Sequence, residues 1–464
     1  MPNRLVAGNG GRLGIAALVA ILLLGLGLRV GEAWDGRAPV FDAAAYAAIA
    51  KNLDEGNGFT VGAKATQPST DYSPGLPLFV AGIYKVTGGT HERLARLVLA
   101  VIGALAPLLA YLLARRLARP CVLCSPVGDK GQQFGGGGVV AGLIAALVVA
   151  IYPATIQYTG MLMTEPLAAT LLAGGMLAIL WAADGESPWR WLVPGLTLGA
   201  LALVRPEYLA IGLLLALLVF LRQRLHVPWR RALLAAAIVA LGIVVVIAPW
   251  TVRNAFALHR FVTVSTGGGQ VLYAGTYMPS DGNPEKVGAG VVAEHPELFG
   301  PHAVERLRLE QILARLAEAT YPQLEPDEAL SKMGKEQLKE DVVHHLGEYV
   351  EFVAAKVGRI WSHGPRDVMR EPVWEALHWA LLGLGLLGLA LLAYRRRWEA
   401  LLIGAVFLAV TVISALLVAS PRRVLVLIPL LAACAGTAVA WLATDARALL
   451  GHGRSAKAGT QSVL

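Results

Sequence analysis

The chain has 464 residues, of which 56% are hydrophobic and only 16% charged, with a mean hydropathy of +0.58. A soluble domain carries about 25% charged residues, so this composition excludes an ordinary soluble enzyme and points to a chain that lives in lipid. The net charge of +8 does not mark a nucleic-acid binder, because the basic residues stand in short clusters at the ends of apolar runs.

Ten apolar runs of 14 to 24 residues read as membrane spans, where a helix needs ~20 to cross a core of roughly 30 Å. They cover 13–30, 94–117, 139–152, 166–183, 191–204, 206–221, 232–250, 374–393, 400–419 and 424–443. The first is longer than the roughly 7–15 apolar residues of a signal peptide and no clear A-x-A site follows it, so it reads as an anchor. The run at 191 is short and meets the next at Arg205-Pro206; one broken helix there would move every later loop to the other side. Basic residues decide the matter. With Arg4 and Arg12 in the cytoplasm, Arg115, Arg116, Arg119 and Lys130 fall on the same side, as do Arg222, Arg224, Arg230 and Arg231. Arg395, Arg396 and Arg397 follow, and then Arg447, Arg454 and Lys457 in the tail. This positive-inside pattern holds only if Arg205 divides two spans, and it makes both termini cytoplasmic.

Two outer segments are too long to be turns. In 31–93, Tyr46, Ile49, Ala50 and Leu53 recur at helical spacing, as in a short helix along the membrane surface. The apolar stretch 72–86 is broken by Pro74, Gly75 and Pro77 and reads as half-buried rather than spanning. In 251–372, one amphipathic helix carries Leu309, Ile312, Leu313 and Leu316, and another Val342, Leu346, Tyr349, Val353 and Val357. The expected architecture is an all-α integral membrane protein of about ten transmembrane helices, with juxtamembrane helices on the outer face and a small helical extracytoplasmic cap. Its divisions are a transmembrane core over 1–250 that includes the first outer loop 31–93, a helical outer region over 251–372, and the last spans and tail over 373–464.

Ionisable residues near the outer ends of spans mark a candidate site. Asp42 opens the surface helix, Glu165 opens a span, Arg205 and Glu207 flank a junction, Arg253 follows the seventh span, and Arg422 and Arg423 precede the last. A guanidinium beside lipid is costly without an anionic partner, and these outer arginines run against the topological bias that placed the basic clusters. Each has a plainer reading as well. Asp42 suits an N-cap and Glu165 a helix-start residue facing the dipole. Arg422 and Arg423 suit headgroup anchors, and Arg253 a span terminator. Glycines 267–269 read as a turn, and His344 and His345 diverge too far on a helix to share a metal. Cys121 and Cys124 form a lone CxxC with no second pair, so they do not indicate a zinc site. Two acids and several arginines at one depth suit a reaction that deprotonates a hydroxyl and expels a phosphate.

FDAAAYAAIAKNLDEGNGFT followed by DYSPGLPLFVAGIYKVTGG resembles the first outer loop of the polytopic glycosyltransferases with the GT-C fold. The nearest branch contains the dolichyl-phosphate-mannose protein mannosyltransferases and the bacterial aminoarabinose transferase of lipid A. RLARLVLAVIGALAPLLAYLLARRL, IYPATIQYTGMLMTEPLAATLL, GLTLGALALVRPEYLAI and APWTVRNAFALHRFVTVSTGGGQVLYAG extend the resemblance, and EYVEFVAAKVGRIW and SPRRVLVLIPLLAACAG fit it. It implies transfer of a hexose or pentose, with inversion, from a polyprenyl-phosphate donor to a lipid-linked, glycan or protein acceptor outside the cytoplasm. Asp42 and Glu165 correspond to the catalytic acids. Tyr46, Arg205, Glu207, Arg253, Arg422 and Arg423 are the expected substrate-binding residues. A divalent cation shared by the two acids is one arrangement the resemblance allows. Two departures stand out: Asp42 is followed by Ala43 where many relatives have a second acid, and Ser73-Pro74-Gly75 replaces the lysine and Pro-Pro of others. The rival class is a multi-pass transporter or flippase, which would need acids or broken helices near the bilayer midplane, usually repeated in two halves.

Overall fold

The structure, a computed structural model, describes residues 9–36, 38–61, 68–119, 135–300, 302–362 and 364–460; every regular element among them is helical. Arg4, Cys121, Cys124 and Lys130 lie outside the described residues, as do the side chains of Arg447, Arg454 and Lys457.

The chain opens with α1 (Asn9–Trp34) and then the surface helices α2 (Asp42–Asp54) and α3 (Gly75–Thr87). Helix α2 buries Tyr46, Ile49 and Ala50, the stripe read from its sequence. Next come α4 (Glu92–Gly103) and α5 (Leu105–Leu117), one apolar passage of 26 residues interrupted at Ala104. Helix α6 (Gly135–Ile151) ends where Tyr152 turns extended before Pro153, and the chain bends by 57° into α7 (Pro153–Gln157). Proline disfavours helical backbone in the residue before it and lacks an N–H, so the bend falls there. Helices α8 (Glu165–Ala183), α9 (Leu192–Val204), α10 (Tyr208–Arg224) and α11 (Trp229–Leu258) complete the first half.

The segment between α11 and α18 holds α12 (Gly268–Thr276), α13 (Pro284–Glu294), α14 (Ala303–Arg306), α15 (Leu309–Thr320), α16 (Pro326–His344) and α17 (Leu346–Ser362). The chain closes with α18 (Pro372–Tyr394), α19 (Trp398–Leu416), α20 (Arg422–Leu425) and α21 (Ile428–Thr460). Six helices among the described residues are long and apolar enough to cross a membrane, and the bent pair at Tyr152 makes up to seven. The protein is a multi-pass membrane protein.

One apolar core runs through the bundle, and a separate core around Tyr273, Val291, Leu313 and Leu330 holds α12, α13, α15 and α16 together. Ile312, Leu313 and Leu316 are buried in it, as the α15 pattern predicts. The next amphipathic stripe differs from expectation. The helix breaks at His345, Val342 and Leu346 stay exposed, and the buried face of α17 is Tyr349, Phe352, Lys356 and Ile360. Two adjacent stripes of that sequence are both apolar enough to dock, and the neighbouring elements chose the one that includes a lysine.

Arg205 divides α9 from α10. It is extended, with φ −142° and ψ 102°, and the next helix begins only at Tyr208. Trp191 before α9 and Arg222 at the end of α10 line one cavity at one end of the bundle, while Arg205 and Glu207 between them join a charge cluster at the other. The two helices are therefore separate passes between the ends of the bundle.

Candidate active site

The turn before α2 sets the first acid. Phe41 has φ 50° and ψ −127°, and Ala43 N donates to Val40 O at 3.1 Å. These are the features of a type II′ turn, whose first central position favours glycine. A phenylalanine there costs about 1–3 kcal/mol, a strain that clusters at functional sites. Its ring is also 84% exposed. Asp42 is the first residue of the helix, not its cap, and no side chain caps this end. Its carboxylate instead serves a distant partner.

That partner is Arg422. Its Nη1 donates to Asp42 Oδ2 at 2.8 Å and its Nε to Glu165 Oε1 at 2.7 Å. Glu165 is buried at the head of α8, whereas the Asp42 side chain is 39% exposed. Burial alone would lower the pKa of Arg422, but Glu165 and then Asp42 hold it above the ordinary arginine value. The guanidinium also lies 5.9 Å from the ring centroid of Tyr158. One cation thus orients both acids and leaves only the outer one open to a substrate.

Arg423 turns the other way, as adjacent residues on a helix must. It donates to Val418 O and sits 4.0 Å from Glu207, which is itself paired with Arg205 at 3.1 Å. Burial would raise the Glu207 pKa, but Arg205 and then Arg423 hold it below the usual carboxylate range. Nη1 of Arg205 is buried with no partner. Tyr46 lies one turn beyond Asp42, is 8% exposed, and meets Tyr72 edge-on at 5.6 Å. Arg253 makes none of these contacts. It donates to Ser69 O at 3.2 Å and Phe59 O at 3.4 Å and stacks 4.8 Å from Trp250, so it ties down the first loop.

Three residues of this neighbourhood escape the sequence reading. Tyr158 lies seven residues before Glu165, and only an aromatic close to an acid at a helix start signals it. Arg29 is 1% exposed inside α1 and donates to Val149 O at 2.8 Å, Ala150 O at 3.0 Å and Thr155 Oγ1 at 3.1 Å. With Glu165 and Tyr158 it lines a cavity of about 20 Å³, room for a water. Lys356 is buried under the cap and donates to Gly275 O at 2.6 Å. Among the described residues no group of three or more His, Cys, Asp or Glu side chains gathers to hold a metal. The two acids converge on a guanidinium, an arrangement that does not fit a divalent cation between them.

This helical architecture is the GT-C fold of polytopic membrane glycosyltransferases. The oligosaccharyltransferase AglB from Archaeoglobus fulgidus, solved with an inhibitory peptide and a dolichol-phosphate, matches over 95% of this chain and 52% of its own, with 18% identity and a TM-score of 0.53. The apo oligosaccharyltransferase of the same organism matches over the same shares at 16% identity and a TM-score of 0.52. ArnT from Cupriavidus metallidurans, solved with undecaprenyl phosphate, aligns over 92% of this chain and 79% of its own at 14% identity and a TM-score of 0.39. The chain spans about half the length of the archaeal enzymes it matches. No family model matches the sequence, and no curated protein matches it either.

Proposed function

We propose that the protein is an inverting glycosyltransferase that moves a sugar from a polyprenyl-phosphate donor to a hydroxyl acceptor at the non-cytoplasmic face of the membrane. The observation that carries this reading is the pair of carboxylates, one open and one buried, joined by Arg422. The shared fold of an enzyme solved with dolichol-phosphate supports it.

In this reading Asp42 takes the proton of the acceptor hydroxyl as its oxygen bonds to the anomeric carbon. The bond from that carbon to the donor phosphate breaks, and its electron pair leaves with the phosphate. Arg422 aims the Asp42 carboxylate, and Glu165 holds Arg422. The leaving polyprenyl phosphate gains negative charge, which fixed arginines stabilise. Arg205, with its unpartnered Nη1, and Arg423 are the cations we assign to it. Arg253 acts on the shape of the first loop. The donor's lipid tail lies between helices, and the acceptor is a lipid-linked, glycan or protein hydroxyl.

The test is transfer by the purified protein from a small panel of polyprenyl-phosphate sugars, with the anomer of the product determined. Consumption of one donor with inversion is expected. Asp42→Asn should cut turnover by about 10²–10⁴-fold while the protein folds normally. An Asp42→Asn protein that keeps more than about a tenth of parental turnover removes Asp42 from the mechanism.

A further inference from the structure

A second polar site lies at the end of the bundle away from the acids. Glu165 begins α8 and Asp184 follows its last residue, so the 19-residue helix separates them by about 28 Å. There, α5, α8, α10, α11 and α19 enclose a cavity of about 1010 Å³. Arg116, Asp184, Arg222, Arg231, Trp191 and Trp398 are among its walls.

The charges in it are unequally matched. Arg116 and Asp184 form a two-bond pair and neutralise each other. Arg222 lies 5.6 Å from the Trp398 ring, and its Nη1 is buried with no partner. The nearby carboxylate of Glu399 is shared: Arg397 binds both of its oxygens, at 2.8 and 3.2 Å, and it also attracts the Arg222 guanidinium. Arg231 and His226 are exposed at the rim, and so is the single opposing acid, Glu186. With Arg116 and Asp184 paired, Arg222 and Arg231 outnumber Glu186 on the cavity wall, an excess of positive charge that suits an anion.

The apolar wall says where that anion comes from. Leu234 lines the cavity and belongs to the outward row of α11, where Leu233, Leu241, Val244 and Val245 are also exposed. The cavity therefore opens beside an exposed apolar row, and Trp191 and Trp398 on its wall are the residue type that favours headgroup depth. We propose that it holds the phosphate of an anionic phospholipid from the adjoining leaflet. Arg222 and Arg231 take the phosphate, and Trp191, Trp398 and Leu234 cover the glycerol and first acyl carbons. Basic pockets between helices at this depth suit such headgroups.

The inference is independent of glycosyl transfer, and its test reads no turnover. The full-length protein is stripped of lipid and placed in nanodiscs of phosphatidylcholine, with or without phosphatidylglycerol. Retained lipid is counted by native mass spectrometry, and thermal stability is measured alongside. The parent should retain phosphatidylglycerol and unfold at a higher temperature with it. Arg222→Gln combined with Arg231→Gln should lose both effects. If the pair fails to fold, Arg231→Gln alone, at an exposed position, should lower phosphatidylglycerol occupancy about tenfold. Equal retention of the two lipids by the parent, or unchanged retention by the variants, overturns the proposal. So does stabilisation by millimolar inorganic phosphate equal to that by phosphatidylglycerol, which would make the site one for a free anion.

Discussion

Arg422 reaches two carboxylates that stand 380 and 257 positions away in the chain, and neither pairing is visible in sequence. What sequence does show is an acid at each of two helix starts and an arginine doublet on the side that the charge bias leaves bare. Arg422→Gln should cost about 3–5 kcal/mol, because it strands the buried Glu165 without its counter-ion. Chemical unfolding of parent and variant in detergent measures this, and a loss below about 1 kcal/mol would mean that Glu165 is satisfied elsewhere.

Lys356 gives a second prediction at this scale. Burial, with Arg423 nearby, pushes its pKa from the usual lysine value of 10.5 down to about 7. Between those values the unfolded chain binds a proton that the folded one does not, so stability rises with pH from 7 toward 10.5. Lys356→Met should flatten that slope. Melting temperatures of the two proteins across this range decide it, and parallel curves would show that the burial of Lys356 has no titration cost.

Helix contacts decide how firmly the acid end is held. Gly195 on α9 faces Gly242 on α11, where a Cβ on Gly242 would stand 2.8 Å from the Gly195 backbone, and Gly199 packs against Ile243 and Val246. Small residues at such crossings let helices approach closely in lipid. Gly242→Leu should therefore force α9 off α11 and cost about 1–3 kcal/mol. Because Arg205 ends α9, donor affinity should fall with stability; unchanged melting would mean that the pair has slack. At this scale periodicity located α2 and α15 well, since each has an apolar face, whereas α3 stands in a stretch read only as half-buried. Periodicity misjudged α17, where two stripes compete and only the docking partners choose.

The whole molecule carries a prediction of orientation. A reporter fused after Arg397 should read as cytoplasmic, and one inserted near Asp281 as external. The reverse result at either point would put the acid cluster on the cytoplasmic face and end the proposed reaction there.

Composition and apolar run length by themselves determined that this chain is a helical membrane protein, because the bilayer demands internally bonded backbone over about 20 residues. Charge bias at the ends of those runs also located the exceptional residues, since an arginine against the trend needs a partner. Which partner it finds is a matter of packing. Only the tertiary structure separated Arg422, on the acids, from Arg423, on Glu207, and turned Arg253 toward the first loop. It alone put Tyr158, Arg29 and Lys356 beside or beneath the site, and left one nitrogen of Arg222 bare at the far end. Ion pairs act over a few ångströms between segments hundreds of residues apart, and no local pattern in a sequence records that distance.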